Sequence, residues 1–197
     1  MKKQNLEWDL IYTKPLEQIP WTYLDFGKPL INMLTRLDKD KKLIVTGCGS
    51  GDTLEVLSKL GFRNLVGYDI SKNAINLAKK DYPQFKFKLA ETVKVKDKGN
   101  VLDKAVIHHI PPSKIKSYIL KLDRIGNKII CCYFHGNYRR KSLIKKKSPL
   151  YYHDPRVIEK MFKRHVLNGQ GKYVVKTSSI NKKVTRFGML CQYYELK

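Results

Sequence analysis

Gly47, Gly49 and Gly51 alternate with Cys48 and Ser50 in a short stretch running from Thr46 to Asp52. Glycines at such spacing let a backbone turn sharply and bring its N–H groups close to a ligand, where a Cβ would collide. The next apolar run, Asn64-Leu65-Val66-Gly67-Tyr68-Asp69, ends in a carboxylate. A carboxylate at a strand end can accept hydrogen bonds from both hydroxyls of a ribose. Together the two features describe half of a nucleoside-binding unit.

Short elements must hold those groups. Leu43-Ile44-Val45 before the glycines reads as a buried strand. Leu54, Leu57 and Leu60 recur at helical spacing after them, and Gly61 stands where a helix-ending glycine belongs. The spacing excludes two phosphate sites. No Gly-Lys-Ser/Thr follows the glycines, so this is not a P-loop. The dinucleotide fingerprint needs a glycine where this chain has Asp52. An acid there caps free N–H groups of the helix but repels a pyrophosphate on the same helix end. The loop suits a nucleoside without phosphates; without Asp69 and the later strand ends, it would read as an ordinary tight turn.

A nucleoside with an amino-acid tail and a sulfonium meets these constraints, and the chain resembles the class I S-adenosylmethionine-dependent methyltransferases over roughly residues 43 to 135. The glycine turn is similar to their first motif and Asp69 to their ribose-binding acid. Leu89-Ala90-Glu91-Thr92 resembles the third-strand end that contacts the adenine. The stretch from Leu102 to Pro112 resembles the fourth strand and the loop on the catalytic side. The resemblance implies S-adenosyl-L-methionine as cofactor, held by Gly47, Gly49, Gly51, Asp69, Ile70, Glu91 and Thr92. The family usually carries an acid two residues before the first glycine. Here that residue is Val45, so the methionine ammonium must be recognised by other groups.

For catalysis the residue types single out His108 and His109, at the end of the fourth strand. Strand alternation lets one of them face the crevice, and His108 is the expected general base. Loop histidines before a proline turn would look the same. The sequence His-His-Ile-Pro-Pro is not the Asn-Pro-Pro-Tyr of amine-modifying relatives, which weighs against base or amide N-methylation. Trp8, Tyr12 and Pro20-Trp21 resemble the start of thiopurine and tellurite methyltransferase-like enzymes. That likeness implies an aromatic lid, with Trp21 over the cofactor; a staple fastening the N-terminus is the alternative. Tyr151 to Asp154 could line the acceptor pocket or cap the last helix.

The 197 residues carry 40 Lys and Arg against 17 Asp and Glu, a net charge of +23. That balance favours an anionic partner such as RNA, with Arg139, Arg140, Lys141, Lys145, Lys146 and Lys147 as the densest cluster. Lysines spread along the chain by a compositional bias would give the same sum. Apolar content is 42 %, ordinary for a globular chain. No apolar stretch approaches the ~20 residues that cross a bilayer. Glu7 and Asp9 interrupt any signal-peptide core, and a soluble cytoplasmic protein is expected. Cys48, Cys131, Cys132 and Cys191 lack Cys-x-x-Cys spacing, so buried reduced thiols are expected, with neither a metal nor a disulfide.

Alternating strands and helices with a terminal hairpin predict an α/β fold: a doubly wound, Rossmann-like, mostly parallel sheet with an antiparallel edge. Residues 1–197 form one domain. Its parts are an N-terminal lid and helix (1–40), a cofactor core (43–135) and an acceptor-side loop, helix and hairpin (136–197). Expected elements include a helix from Ser71 to Asp81, strands over 101–107 and 128–134, and a helix over 155–165. Strands over 172–180 and 185–196 pair around a turn at 181–183. The activity expected is methyl transfer to a small-molecule acceptor. The alternatives are an RNA methyltransferase, or a catalytically silent relative that binds nucleic acid or protein.

Overall fold

A computed structural model describes residues 2–14, 19, 26–134, 150–178 and 184–197. The turn at 181–183 and the basic cluster at 139–147 lie outside the described residues, as does Trp21. Helices α1 (Lys2–Ile11) and α2 (Lys28–Leu34) precede β1 (Leu43–Thr46), α3 (Asp52–Lys59), β2 (Leu65–Asp69), α4 (Lys72–Asp81) and β3 (Lys86–Leu89). Then come β4 (Gly99–Lys104), α5 (Pro112–Ile125), β5 (Gly126–Phe134), α6 (Pro155–Met161), β6 (His165–Ser178) and β7 (Val184–Leu196).

The sheet order is β3-β2-β1-β4-β5-β7-β6. The first five strands are parallel; β7 runs antiparallel to β5, and β6 to β7. Side-chain alternation splits the core into two layers. Leu43, Val45, Leu102 and Ile130 face Leu54 and Leu57 of α3 and Ile75 of α4. Ile44, Val101 and Ile129 face Ile115, Ile119 and Leu122 of α5 and Ile158 of α6. The chain order reverses direction between β1 and β4, and in open parallel sheets the ligand crevice lies outside the carboxyl ends at that reversal.

Local signals place several boundaries. Ser71 caps α4 by accepting from the Ala74 amide at 3.1 Å. Gly61, at φ +90°, follows the end of α3 in the left-handed region expected of a helix-ending glycine. Lys86 and Lys88 are exposed on either side of buried Phe87, as befits an edge strand.

Other boundaries shift. The fourth strand ends at Lys104 rather than 107, because Ala105 takes φ +64° and turns the chain. Residues Ile107–His109 then form a single 3-10 turn. The last helix stops at Met161, and His165 begins β6. Its continuation is drawn away by Asp123, whose carboxylate accepts from the amides of Lys163 (3.2 Å) and Arg164 (3.0 Å) and contacts His165 Nδ1 at 2.7 Å. Phe162 meanwhile stacks on Tyr194, with ring centroids 4.2 Å apart.

The expectation of four reduced cysteines is corrected. Cys132 on β5 lies directly opposite Cys191 on β7, with Cα atoms 4.2 Å apart, and the two form a disulfide. Cys48 and Cys131 are free, and burial pushes both thiols up. Among the described residues no helix is long and apolar enough to cross a membrane, and no cluster of His, Cys, Asp or Glu could hold a metal ion.

Candidate active site

The glycine turn leaves β1 and enters α3. Gly47, Gly49 and Gly51 all have positive φ, at 58°, 55° and 97°. A side chain at Gly47 would run into Val106, which the Ala105 turn delivers from the end of β4. A Cβ at Gly49 would stand 2.5 Å from the Tyr12 hydroxyl. The turn is therefore held between the β4 loop and the residue after α1, and at its glycines it presents only backbone.

Asp69 ends β2 beside this turn. Its Oδ2 accepts from the Gly49 amide at 2.9 Å and its Oδ1 from the Ser71 amide at 2.8 Å. Each oxygen keeps a further lone pair for a hydroxyl. Burial raises its carboxyl above the usual range, and the Ser71 and Gly49 amides oppose that rise. Ile70 follows at the strand end and is half-buried. At the end of β3, Glu91 is half-buried and Thr92 buried at the start of a 3-10 turn. The ends of three parallel strands thus bring Gly47, Gly49, Gly51 (after β1), Asp69, Ile70 (β2), Glu91 and Thr92 (after β3) to one end of the sheet. Asp52 bonds Ser50 Oγ at 2.5 Å and the Tyr82 hydroxyl at 3.1 Å, which keeps its carboxylate at the helix start, against phosphate. Val45 packs in the core beside Leu54 and takes no part.

Helix α1 roofs this end. Asp9 Oδ1 accepts from Ser71 Oγ at 2.7 Å and from the Asn73 amide at 3.2 Å, and its carbonyl accepts from Asn73 Nδ2 at 3.0 Å. This latch fastens α1 to the start of α4, two residues from Asp69. Nothing in the residue pattern marks it beyond an acid close to Trp8 and Tyr12. Trp8 then meets His109 edge to face at 4.8 Å.

The histidines are placed by a helical turn, so strand alternation does not decide between them. His108 is 2 % exposed and stacks on Phe134 at 4.0 Å. Its Nδ1 accepts from the Phe134 amide at 3.3 Å, and its carbonyl accepts from Tyr151 N at 2.8 Å. Burial, then the neighbouring His109 and His153, hold its pKa well below the usual value, so it is neutral at pH 7. His109 is half-buried between His108 and Trp8. His153 Nε2 lies 2.8 Å from the Ile110 carbonyl oxygen, so Tyr151 and His153 brace the histidine turn from the far side.

Asp103 is a functional candidate that the motifs did not reveal, although a lone acid inside an apolar strand is a visible signal. It is fully buried on β4, where Oδ2 accepts from Thr46 Oγ1 at 2.8 Å and from the Tyr118 hydroxyl. Its Oδ1 has no hydrogen-bond partner among the described residues. Burial raises its carboxyl to about 6, against the opposing Tyr118 and Thr46 hydroxyls. A carboxyl raised by folding contributes stability that is complete below pH 3.8 and lost as pH rises through 6. Relative to Asp103→Asn, wild-type unfolding free energy should therefore fall by about 2 kcal/mol between pH 4 and pH 7. Urea titrations of both proteins across that range check this, and a constant difference would refute it.

Residues 44–125 match the family described as Methyltransferase domain. No curated protein matches the sequence. Solved structures share the fold. A SAM-dependent methyltransferase from Anabaena variabilis is 16 % identical, with TM-score 0.77, 98 % of this chain and 95 % of that one being covered. Magnesium protoporphyrin IX methyltransferase from Synechocystis, crystallised with bound SAM, is 14 % identical with TM-score 0.69, covering 99 % and 98 %. TehB from Haemophilus influenzae is 11 % identical with TM-score 0.67, covering 85 % and 61 %. The matching family segment spans the glycine turn, Asp69 and the histidine turn, and the fold is shared along nearly all the chain with solved S-adenosylmethionine-dependent methyltransferases, which together support the class I S-adenosylmethionine-dependent methyltransferase family.

Proposed function

We propose that the protein transfers a methyl group from S-adenosyl-L-methionine to a small-molecule acceptor by in-line displacement. The carrying observation is the Asp69 carboxylate, fixed by the Gly49 and Ser71 amides at the edge of a turn whose three glycines carry no side chains. The cofactor supplies a methyl group made electrophilic by a positive sulfur. The chain's contribution is to hold nucleophile and methyl in line at about 3 Å, an effect worth up to about 7–11 kcal/mol in favourable systems.

The acceptor reading rests on the wall built where β4 and β5 end. Trp8, His109, His108 and Phe134 form a continuous run of ring contacts there. Such a run of aromatic rings favours a small, planar or apolar acceptor over a phosphate backbone. Trp8 adds cation–π attraction of about 0.5–2 kcal/mol for a sulfonium held near its face. His108 has its Nδ1 engaged by the Phe134 amide, so the proton-accepting role proposed for it passes to His109 where the acceptor arrives protonated. Glu91, Thr92 and Ile70 are assigned to the base.

Net charge supports a second reading, methylation of RNA through Arg139, Arg140, Lys141, Lys145, Lys146 and Lys147. Titration calorimetry with S-adenosylhomocysteine tests the first step, and no heat at millimolar ligand would refute an enzyme that uses this cofactor. RNA affinity measured against salt separates the acceptors. A steep loss that Arg139→Ala with Arg140→Ala flattens favours RNA, whereas an unchanged slope favours the small molecule.

A further inference from the structure

Thr92, Tyr118 and Asp103 form a buried polar chain whose direction is fixed by proton count. Tyr118 has a single hydroxyl proton, and it donates that proton to Asp103 Oδ2. An ionised carboxylate only accepts, so the direction cannot reverse while Asp103 is charged. The Tyr118 oxygen can then only accept, and it does so from Thr92 Oγ1 at 3.5 Å. Thr46 Oγ1 donates to the same carboxylate oxygen at 2.8 Å and resists rotation of the carboxylate. All four side chains are buried: Thr46 on β1, Asp103 on β4, Tyr118 on α5 and Thr92 after β3.

We propose that this chain fixes the Thr92 hydroxyl as a hydrogen-bond acceptor towards the base of the bound nucleoside, selecting an amino-substituted purine over its oxo counterpart. The inference rests on the reading that this crevice takes an S-adenosyl nucleoside with Thr92 at its base. Thr92 has one hydroxyl proton, and Tyr118 draws it inward. Only lone pairs remain for a ligand. An exocyclic amino group can donate to them, whereas a carbonyl in its place meets lone pair against lone pair. Asp103 and Tyr118 touch no ligand in this scheme; they are positioning residues, and Thr92 is the specificity-determining contact. A site that leaves a polar group wrongly paired discriminates strongly, because the mismatch costs the desolvation of both groups.

The test is calorimetry at pH 8 with S-adenosylhomocysteine and its deaminated analogue S-inosylhomocysteine. Wild type should prefer the amino compound by at least about tenfold. In Tyr118→Phe the Thr92 hydroxyl regains its rotation and can donate to the carbonyl, so the preference should fall at least about threefold. Thr92→Val removes the hydroxyl and should lower the preference likewise. It carries the test if circular dichroism finds the Phe variant unfolded. Glu91, which also offers acceptor oxygens, is the same in every protein compared, so a changed ratio reports on Thr92. A purely structural role for Tyr118 would weaken both ligands equally, and an unchanged ratio in either folded variant overturns the proposal. Equal binding of both compounds by wild type overturns it too. Wild type binding neither compound refutes the nucleoside reading itself, a result distinct from the other two.

Discussion

Asp69→Ala should weaken S-adenosylhomocysteine binding by about a hundredfold to ten-thousandfold. On the proposed reading the variant removes two charge-assisted hydrogen bonds to the ribose, each worth about 1.5–3 kcal/mol, and every 1.4 kcal/mol is about tenfold in affinity. It also strips the Gly49 and Ser71 amides of their acceptors, so part of the loss comes from a loosened glycine turn. Asp69→Asn separates the two contributions, since one carboxamide oxygen still accepts. Its loss should be intermediate. Burial already raises the Asp69 carboxyl, so wild-type affinity should decline first on the acid side: a protonated carboxyl loses an accepting oxygen and the charge. Calorimetry on the three proteins decides the matter. Equal binding by wild type and the Ala variant would remove Asp69 from the site.

Asp123→Ala should cost about 3–5 kcal/mol of stability, a large share of the about 5–15 kcal/mol typical of a domain. Asp123 is 3 % exposed and joins the end of α5 to the start of β6. His165, itself 2 % exposed, has Nδ1 2.7 Å from that carboxylate and Nε2 3.2 Å from the Asn127 carbonyl oxygen. Both ring nitrogens thus face acceptors. Truncating the acid leaves the imidazole and the amides of Lys163 and Arg164 without their partner in a dry setting. Urea unfolding should move to lower denaturant with an unchanged slope. A loss below about 1 kcal/mol would mean that water replaces the carboxylate there.

Elements whose cause is local were legible in the sequence. The glycine turn, the acid ending β2 and the Ser71 cap each depend on neighbours within a few residues, and each is where the residue pattern put it. The parallel order and the antiparallel end likewise follow from alternating strand and helix patterns. The end of β4 was hidden. Residues 101–107 are apolar enough to continue a strand, and nothing in an alanine signals that Ala105 will adopt φ +64°. That one turn also moved the histidines from strand to helical geometry, which changed which imidazole lies open. The start of β6 was hidden by distance, because the acid that stops the preceding helix lies some forty residues upstream. The Asp103–Tyr118 contact and the Cys132–Cys191 bridge are non-local too. Register places Cys132 opposite Cys191, and spacing motifs carry no information about register.

That bridge has a topological consequence. It closes a covalent ring whose ends are 59 residues apart in the chain and which contains α6, β6 and most of β7. A protease that cuts anywhere inside the ring releases no fragment. A nicked molecule therefore keeps its full mass on a non-reducing gel and separates into two pieces only after a reductant is added.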